Sequence, residues 1–218
     1  QNSNVIEFYN WYTKTGLCGF TMNNVGDPFD VKNYFVLSAL EIEKKVIEIF
    51  APYYDIPDDQ IWGFITNGCT DSNNHGMYFG VKKLLSETGK MPIVYVSREA
   101  HYSNRRLADL QNLECRLIDF DEHGSMDTED LRRKLDPTRP ALIICAMGTT
   151  FMGGIDDLEK INKVVEEVKP IAVYKHVDAA LFGGYLPFTE HKDLVSMTKM
   201  KYDSIAVSGH KFFGIDEP

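Results

Sequence analysis

The sequence has no CxxC pair, no run of basic residues and no apolar stretch long enough to cross a bilayer, and each absence removes a class of function. Its four cysteines, Cys18, Cys69, Cys115 and Cys145, are far apart. That spacing argues against a zinc site or a disulfide framework and suits a reducing compartment. With 23 Lys and Arg against 32 Asp and Glu, a net charge of -9, no cationic face of the kind that tracks nucleic-acid phosphates is expected. The apolar runs, such as residues 141–147, fall far short of a membrane span. The N-terminus opens on polar residues and then Phe8, Tyr9, Trp11 and Tyr12, without the basic and apolar regions of a signal peptide. A soluble, cytoplasmic protein with no nucleic-acid or membrane partner and no metal is the expectation.

What is present suits one good-sized core: 218 residues, 44% hydrophobic and 12% aromatic. The first sixty residues read as a helical and connecting segment. Residues 36–50 carry Leu37, Leu40, Val46, Ile47 and Phe50 at helical spacing, after a turn-rich stretch at 23–28. From residue 61 onward the pattern alternates. Residues 62–66, 93–96, 115–118, 141–147, 171–177 and 204–207 read as extended and apolar. Residues 71–85, 102–110, 128–135 and 158–168 read as helices between them. Such alternation implies right-handed crossovers and a mostly parallel sheet between helices, an α/β architecture whose ligands bind beyond the carboxyl ends of the strands.

Polar and small residues gather where that rule puts them. Gly68-Cys69-Thr70-Asp71-Ser72-Asn73 lies between an extended run and a helix. Small residues at a helix start expose N–H groups to an anion, although Thr70 could equally be a plain N-cap. The loop is neither GxGxxG nor a P-loop, so a dinucleotide or nucleoside-triphosphate site is not supported. His101 follows the run at 93–96 and could stack on an aromatic ring, move protons near neutral pH, or simply cap a helix. Asp178, in His176-Val177-Asp178-Ala179-Ala180, ends an apolar run and is followed by methyl-sized side chains. A carboxylate there could keep a pyridine nitrogen protonated, with Ala180 leaving room for a flat ring; a helix-capping role is the alternative. Lys211, in Ser208-Gly209-His210-Lys211-Phe212, follows the run at 205–207. Near the low-dielectric floor of a cleft, desolvation would free its lone pair for Schiff-base formation; a solvated lysine is the common alternative.

Each signal is modest alone, but their order over about 145 residues is specific. Taken together with Gly148-Thr149-Thr150 and Ser97-Arg98-Glu99-Ala100-His101-Tyr102-Ser103, it resembles the group II, fold-type-I pyridoxal-phosphate-dependent decarboxylases. Within them it is similar to the histidine decarboxylase and plant serine decarboxylase branch. The resemblance covers nearly the whole chain. It implies a PLP-dependent transferase-like large domain at 61–218 behind an N-terminal segment at 1–60, and decarboxylation of an L-amino acid to the amine and CO2. It also implies that Lys211 carries pyridoxal 5'-phosphate as a Schiff base, Asp178 pairs with the pyridine nitrogen, and His101 and Ala180 cover the two ring faces. Gly68, Cys69, Thr70, Ser208 and His210 would surround the phosphate, and Thr150 would approach the phenolic oxygen.

Two departures stand out. The family's phosphate loop usually reads Gly-Gly-Thr-Glu-Gly-Asn, where this chain has Cys69 and Ser72. The chain ends seven residues after Lys211, whereas the family has a further C-terminal domain. The expectation is therefore a piece of a longer or cut protein, or a split enzyme completed by another chain, acting as a homodimer or such an assembly. The other readings are a fold-type-I aminotransferase or lyase, and a non-catalytic PLP-binding fragment.

Overall fold

A computed structural model describes residues 3–20, 26–30 and 38–215. Part of the turn expected at 23–28, and the start of the helix expected at 36–50, lie outside the described residues. Two helices come first, α1 (Ser3–Lys14) and α2 (Leu40–Phe50). Then α3 (Cys69–Thr88), β1 (Ile93–Ser97), α4 (Tyr102–Leu110), β2 (Cys115–Ile118), α5 (Thr128–Lys134), β3 (Ala141–Ala146), α6 (Leu158–Val168) and β4 (Val173–Asp178) alternate. A short helix α7 (Met197–Met200) precedes β5 (Ser204–Ala206).

The five strands pair in parallel in the order β2-β1-β3-β4-β5. β3 sits at the centre and is buried along its whole length, which is why Ala-Leu-Ile-Ile-Cys-Ala needs no polar alternation. Side chains alternate between the two faces of each strand. Val94, Val96, Leu142, Ile144 and Tyr174 pack against Met77, Val81 and Leu84 of α3 and Leu107 and Ala108 of α4. Ile93, Tyr95, Ile143, Cys145 and Val177 pack against Leu131 of α5 and Leu158, Ile161 and Val164 of α6. The chain runs from β1 outward to β2 and then back across to β3, β4 and β5. The sheet therefore reverses its direction of growth between β1 and β3, where open α/β sheets form their binding crevice.

One expected extended run is not a strand. Residues 62–66 join no ladder. The Ile65 N–H is taken by the Glu43 carboxylate of α2 at 2.6 Å, and the Trp62 indole N–H bonds Asp27 at 2.9 Å. With the Ile65 N–H engaged by a side chain, this segment links α2 to α3 instead of extending the sheet. Consequently Gly68-Cys69-Thr70 does not follow a strand: it opens α3 directly, with Gly68, not Thr70, as the N-cap.

The long helix α3 closes at Gly89, whose left-handed φ of 68° lets its N–H reach the Leu85 carbonyl at 2.8 Å. The face of α3 toward the sheet carries Gly76 and Gly80, one turn apart. A Cβ on Gly76 would stand 2.3 Å from Cε1 of His176, and one on Gly80 would stand 2.7 Å from the Tyr174 ring. The helix backbone thus rests directly on β4, and this brings the N-terminus of α3 to the carboxyl end of that strand.

A mid-helix Gly→Ala change ordinarily stabilises by about 0.5–1 kcal/mol. At Gly76 the new methyl would overlap a ring that is 1% exposed and held at both nitrogens. Overpacking of that kind costs about 1–3 kcal/mol, so the steric effect outweighs the propensity gain. Gly76→Ala is therefore expected to lower the urea midpoint; an unchanged or raised midpoint would show that α3 stands farther from β4.

Candidate functional site at the carboxyl edge of the sheet

Tyr174, His176 and Asp178 lie two apart on β4, so all three project toward α3 and α4. Asp178 is the last residue of the strand and is 6% exposed. Its Oδ2 accepts a 2.7 Å hydrogen bond from the Asn104 amide of α4. Its Oδ1 accepts the Ala180 N–H at 3.3 Å and faces the Cys69 thiol of α3 at 4.0 Å. A buried carboxylate demands donors, and three different elements supply them.

The start of α3 is shaped by Gly68, which adopts φ 89°, ψ 163°, a conformation that L side chains rarely take. Thr66 braces this turn by donating to the Gly68 carbonyl at 3.0 Å and pairing with the Ser72 hydroxyl at 2.5 Å. His101 caps α4: its Nδ1 accepts the Ser103 N–H and pairs with the Ser103 hydroxyl at 2.7 Å. The capping role and the position beside the cleft are therefore not alternatives; His101 has both. After β3, Thr149 is buried and accepts the Gly154 N–H at 2.8 Å, while Thr150 is exposed toward the cleft. After β5, Ser208 is buried and its hydroxyl pairs with Nδ1 of His210 at 2.9 Å.

These segments enclose a cleft of about 220 Å³. All ten predicted site residues line it except Gly68 and Ser208, which shape the turns on either side. One expectation is corrected. Lys211 reaches the cleft but is exposed, not desolvated. The neighbouring rings turn elsewhere: Phe212 packs on Tyr185 at 5.5 Å and Phe213 on Phe50 at 5.0 Å, leaving the lysine side open.

Sequence reasoning missed Asn104, Asn73 and Ser103. Asn73 and Ser103 line the cleft, and the one sequence signal on α4 was the helical spacing of Asn104, three residues after His101. It also missed what His176 does. Its Nε2–H donates to Asn73 at 2.9 Å and its Nδ1 meets the Ser204 hydroxyl at 2.7 Å, so a neutral ring is fully satisfied beneath Asp178.

Burial sets the charge states around this floor. The Cys69 thiol is pushed well above its ordinary range by burial and by the neighbouring Asp178, so it stays neutral. Burial pushes His176 down from 6.5 to about 4. Burial also pushes Asp156 up to about 7, although its oxygens accept the Met126 and Ala146 N–H groups, each at 2.6 Å. The signs are opposite. As pH falls from 6.5 toward 4, the unfolded chain gains a proton at residue 176 that the native ring refuses, which costs stability. Over nearly the same window native Asp156 takes up a proton that the unfolded chain still releases, which adds stability. The effects amount to about 3 kcal/mol for His176 and about 4 kcal/mol for Asp156, and they largely cancel. His176→Gln is therefore expected to make stability rise on acidification relative to the wild type, and Asp156→Asn to make it fall. Urea denaturation across that pH range checks this, and parallel curves for all three proteins would refute it.

Three comparisons bear on what such a site belongs to. Residues 81–216 match the model of the pyridoxal-dependent decarboxylase conserved domain. The chain is 39% identical to serine decarboxylase 1 of Oryza sativa subsp. japonica over 202 residues, covering 91% of this chain and 40% of that protein. It is 36% identical to the histidine decarboxylase of Acinetobacter baumannii (strain ACICU) over 203 residues, covering 91% of this chain and 51% of that one. Among solved structures, the glutamate decarboxylase of Lactobacillus brevis CGMCC 1306 superimposes with a TM-score of 0.70 at 25% identity, over 81% of this chain and 43% of that one. The L-methionine decarboxylase of Streptomyces sp.590 shares the fold, with a TM-score of 0.73 at 18% identity over 94% of this chain and 60% of that one. The chain thus spans about half the length of the curated relatives it matches. With the family model matched over most of the chain, and with the α/β fold and the strand-end cleft both in place, the chain belongs to the pyridoxal-dependent decarboxylase family.

Proposed function

We propose that this protein decarboxylates an L-amino acid, histidine- or serine-decarboxylase-like, to the amine and CO2. Pyridoxal 5'-phosphate is the cofactor of its family, and the residues at the sheet edge fit that group. One observation carries the reading: a buried carboxylate, a primary amine and the N-terminus of a long helix meet in one small cleft from distant parts of the chain. A ring nitrogen, an aldehyde and a phosphate call for those three partners in turn.

When bound, the cofactor supplies an electron sink for the pair left on Cα as CO2 departs. Lys211 Nζ is the amine that would hold the cofactor's aldehyde carbon, and Asp178 would hold the proton on the ring nitrogen. His101 would cover one ring face, and the methyl of Ala180 would let the other face lie close. Cys69, Thr70, Ser208 and His210 would surround the phosphate beside the Gly68 turn, and Thr150 would meet the phenolic oxygen.

A homodimer, or this chain with one supplying the C-terminal part, is the assembly proposed for turnover. Two observations support it. Lys211 is open on one side, and beside the cleft runs a groove of about 850 Å³ that shares His101 and Thr150 with it. At its rim Phe151 is 91% exposed and Tyr102 72% exposed, large apolar surfaces of the kind that partners cover. A cytoplasmic location accompanies the reading, with all four cysteines free and no described helix long and apolar enough to cross a membrane.

The test is product analysis on the full-length protein with a panel of amino acids. Release of CO2 with the matching amine is expected; a keto acid would instead support an aminotransferase, and cofactor binding without turnover a non-catalytic protein. Lys211→Ala is expected to abolish the yellow absorbance and the borohydride-fixed cofactor. If that variant keeps the wild-type spectrum, the assignment of Lys211 is wrong.

A further inference from the structure

Asn104 is the fully buried group on α4 that touches Asp178. It is 0% exposed, and its Nδ2 lies 2.7 Å from Asp178 Oδ2. A carboxylate oxygen accepts, so the amide nitrogen must be the atom that faces it. The other amide atom, Oδ1, is buried with no hydrogen-bond partner. Its own helix packs Leu107 and Ala108 into the apolar layer against Val94 and Val96.

On packing grounds alone the position favours leucine. A buried amide with one oxygen unsatisfied costs free energy that an apolar side chain of similar size avoids. What the amide gains is one short bond to a charged group, the stronger kind of hydrogen bond. The other two contacts of Asp178, at 3.3 Å and 4.0 Å, are long by comparison, so the Asn104 bond is the one that fixes the torsion of the carboxylate. The Asn104 N–H also bonds the His101 carbonyl at 3.1 Å. A single helical turn therefore places both the imidazole at the cleft and the donor that orients the acid.

Resting on the proposed function, we propose that Asn104 is a positioning residue, whose amide locks the Asp178 carboxylate in the orientation that serves the cofactor's ring nitrogen. It touches neither substrate nor reacting atoms; it acts through Asp178.

The test uses the full-length protein as wild type, Asn104→Leu and Asn104→Asp. Binding of pyridoxal phosphate is measured by absorbance and fluorescence over mildly acidic to alkaline pH, with melting of the cofactor-free proteins alongside. The leucine variant leaves Asp178 Oδ2 without its donor, so it is expected to melt below the wild type and to bind the cofactor about tenfold more weakly at every pH. The aspartate variant supplies a donor only while the paired carboxyls share a proton. Its affinity is expected to approach the wild type at acid pH and fall away as pH rises. Cys69, His176 and Asp156 interact with Asp178, and His101 and Lys211 share its cleft, so the readout is the ratio of each variant to the wild type at each pH. A merely structural tie would lower the melting temperature without that pH signature. Leucine-variant binding within twofold of the wild type, or a pH-independent ratio for the aspartate variant, overturns the proposal. If the leucine variant does not fold, the aspartate profile decides alone. Failure of the wild type itself to bind the cofactor would instead sink the proposed function, and this assignment with it.

Discussion

A carboxylate taken out of water at the end of a strand has to be given donors, and the architecture around Asp178 follows from that requirement. Parallel strands put their carboxyl ends on one edge, and helix N-termini come to the same edge. Asp178 can therefore draw on α3 through Cys69, on α4 through Asn104 and on its own following turn through Ala180. Remove the burial and the acid would be an ordinary solvated group. Remove the donors and its buried oxygens would be left without partners.

The donor from α3, Cys69, reaches Asp178 because that helix lies unusually close to the sheet. Gly76 and Gly80 replace side chains with backbone at the contact, and the room goes to His176 and Tyr174. His176 then becomes a buried polar spacer, tied to Asn73 on the helix and Ser204 on β5. This satisfied network fixes the spacing between the helix start and the strand end. It sits one layer below the cleft, so the geometry above is set by packing rather than by flexible loops.

Much of this was legible in the residues, for identifiable reasons. α4 and β2 fall at the expected boundaries because their periodicities differ sharply and Asn112, with φ 54°, terminates the helix between them. The order of small and ionisable residues after apolar runs identified most of the cleft. Residues 62–66 misled because an apolar run says nothing about whether its N–H groups find a strand or, as here, the Glu43 carboxylate. Asn104 was hidden because a polar residue early in a helix usually faces water. Its burial depends on β4, 74 residues away. Lys211 reads as desolvated from Phe212 and Phe213, yet those rings pack on Tyr185 and Phe50, a choice made by tertiary contacts.

The departures of residues 68–73 from the family pattern have a physical reading at this site. Ser72 replaces a glycine and uses its hydroxyl to lock Thr66, stiffening the turn that precedes α3. Cys69 replaces another glycine and sets a thiol 4.0 Å from Asp178. An ionised sulfur at that distance would repel the carboxylate by about 4 kcal/mol at the effective dielectric of a partly shielded site. Burial and Asp178 itself both drive the thiol to its neutral form, so no second negative charge arises. A neutral thiol is instead a weak donor toward the acid, aligned with the stronger bond from Asn104 on the other oxygen. The cysteine thus puts no second negative charge beside Asp178, and burial of the thiol is what prevents it.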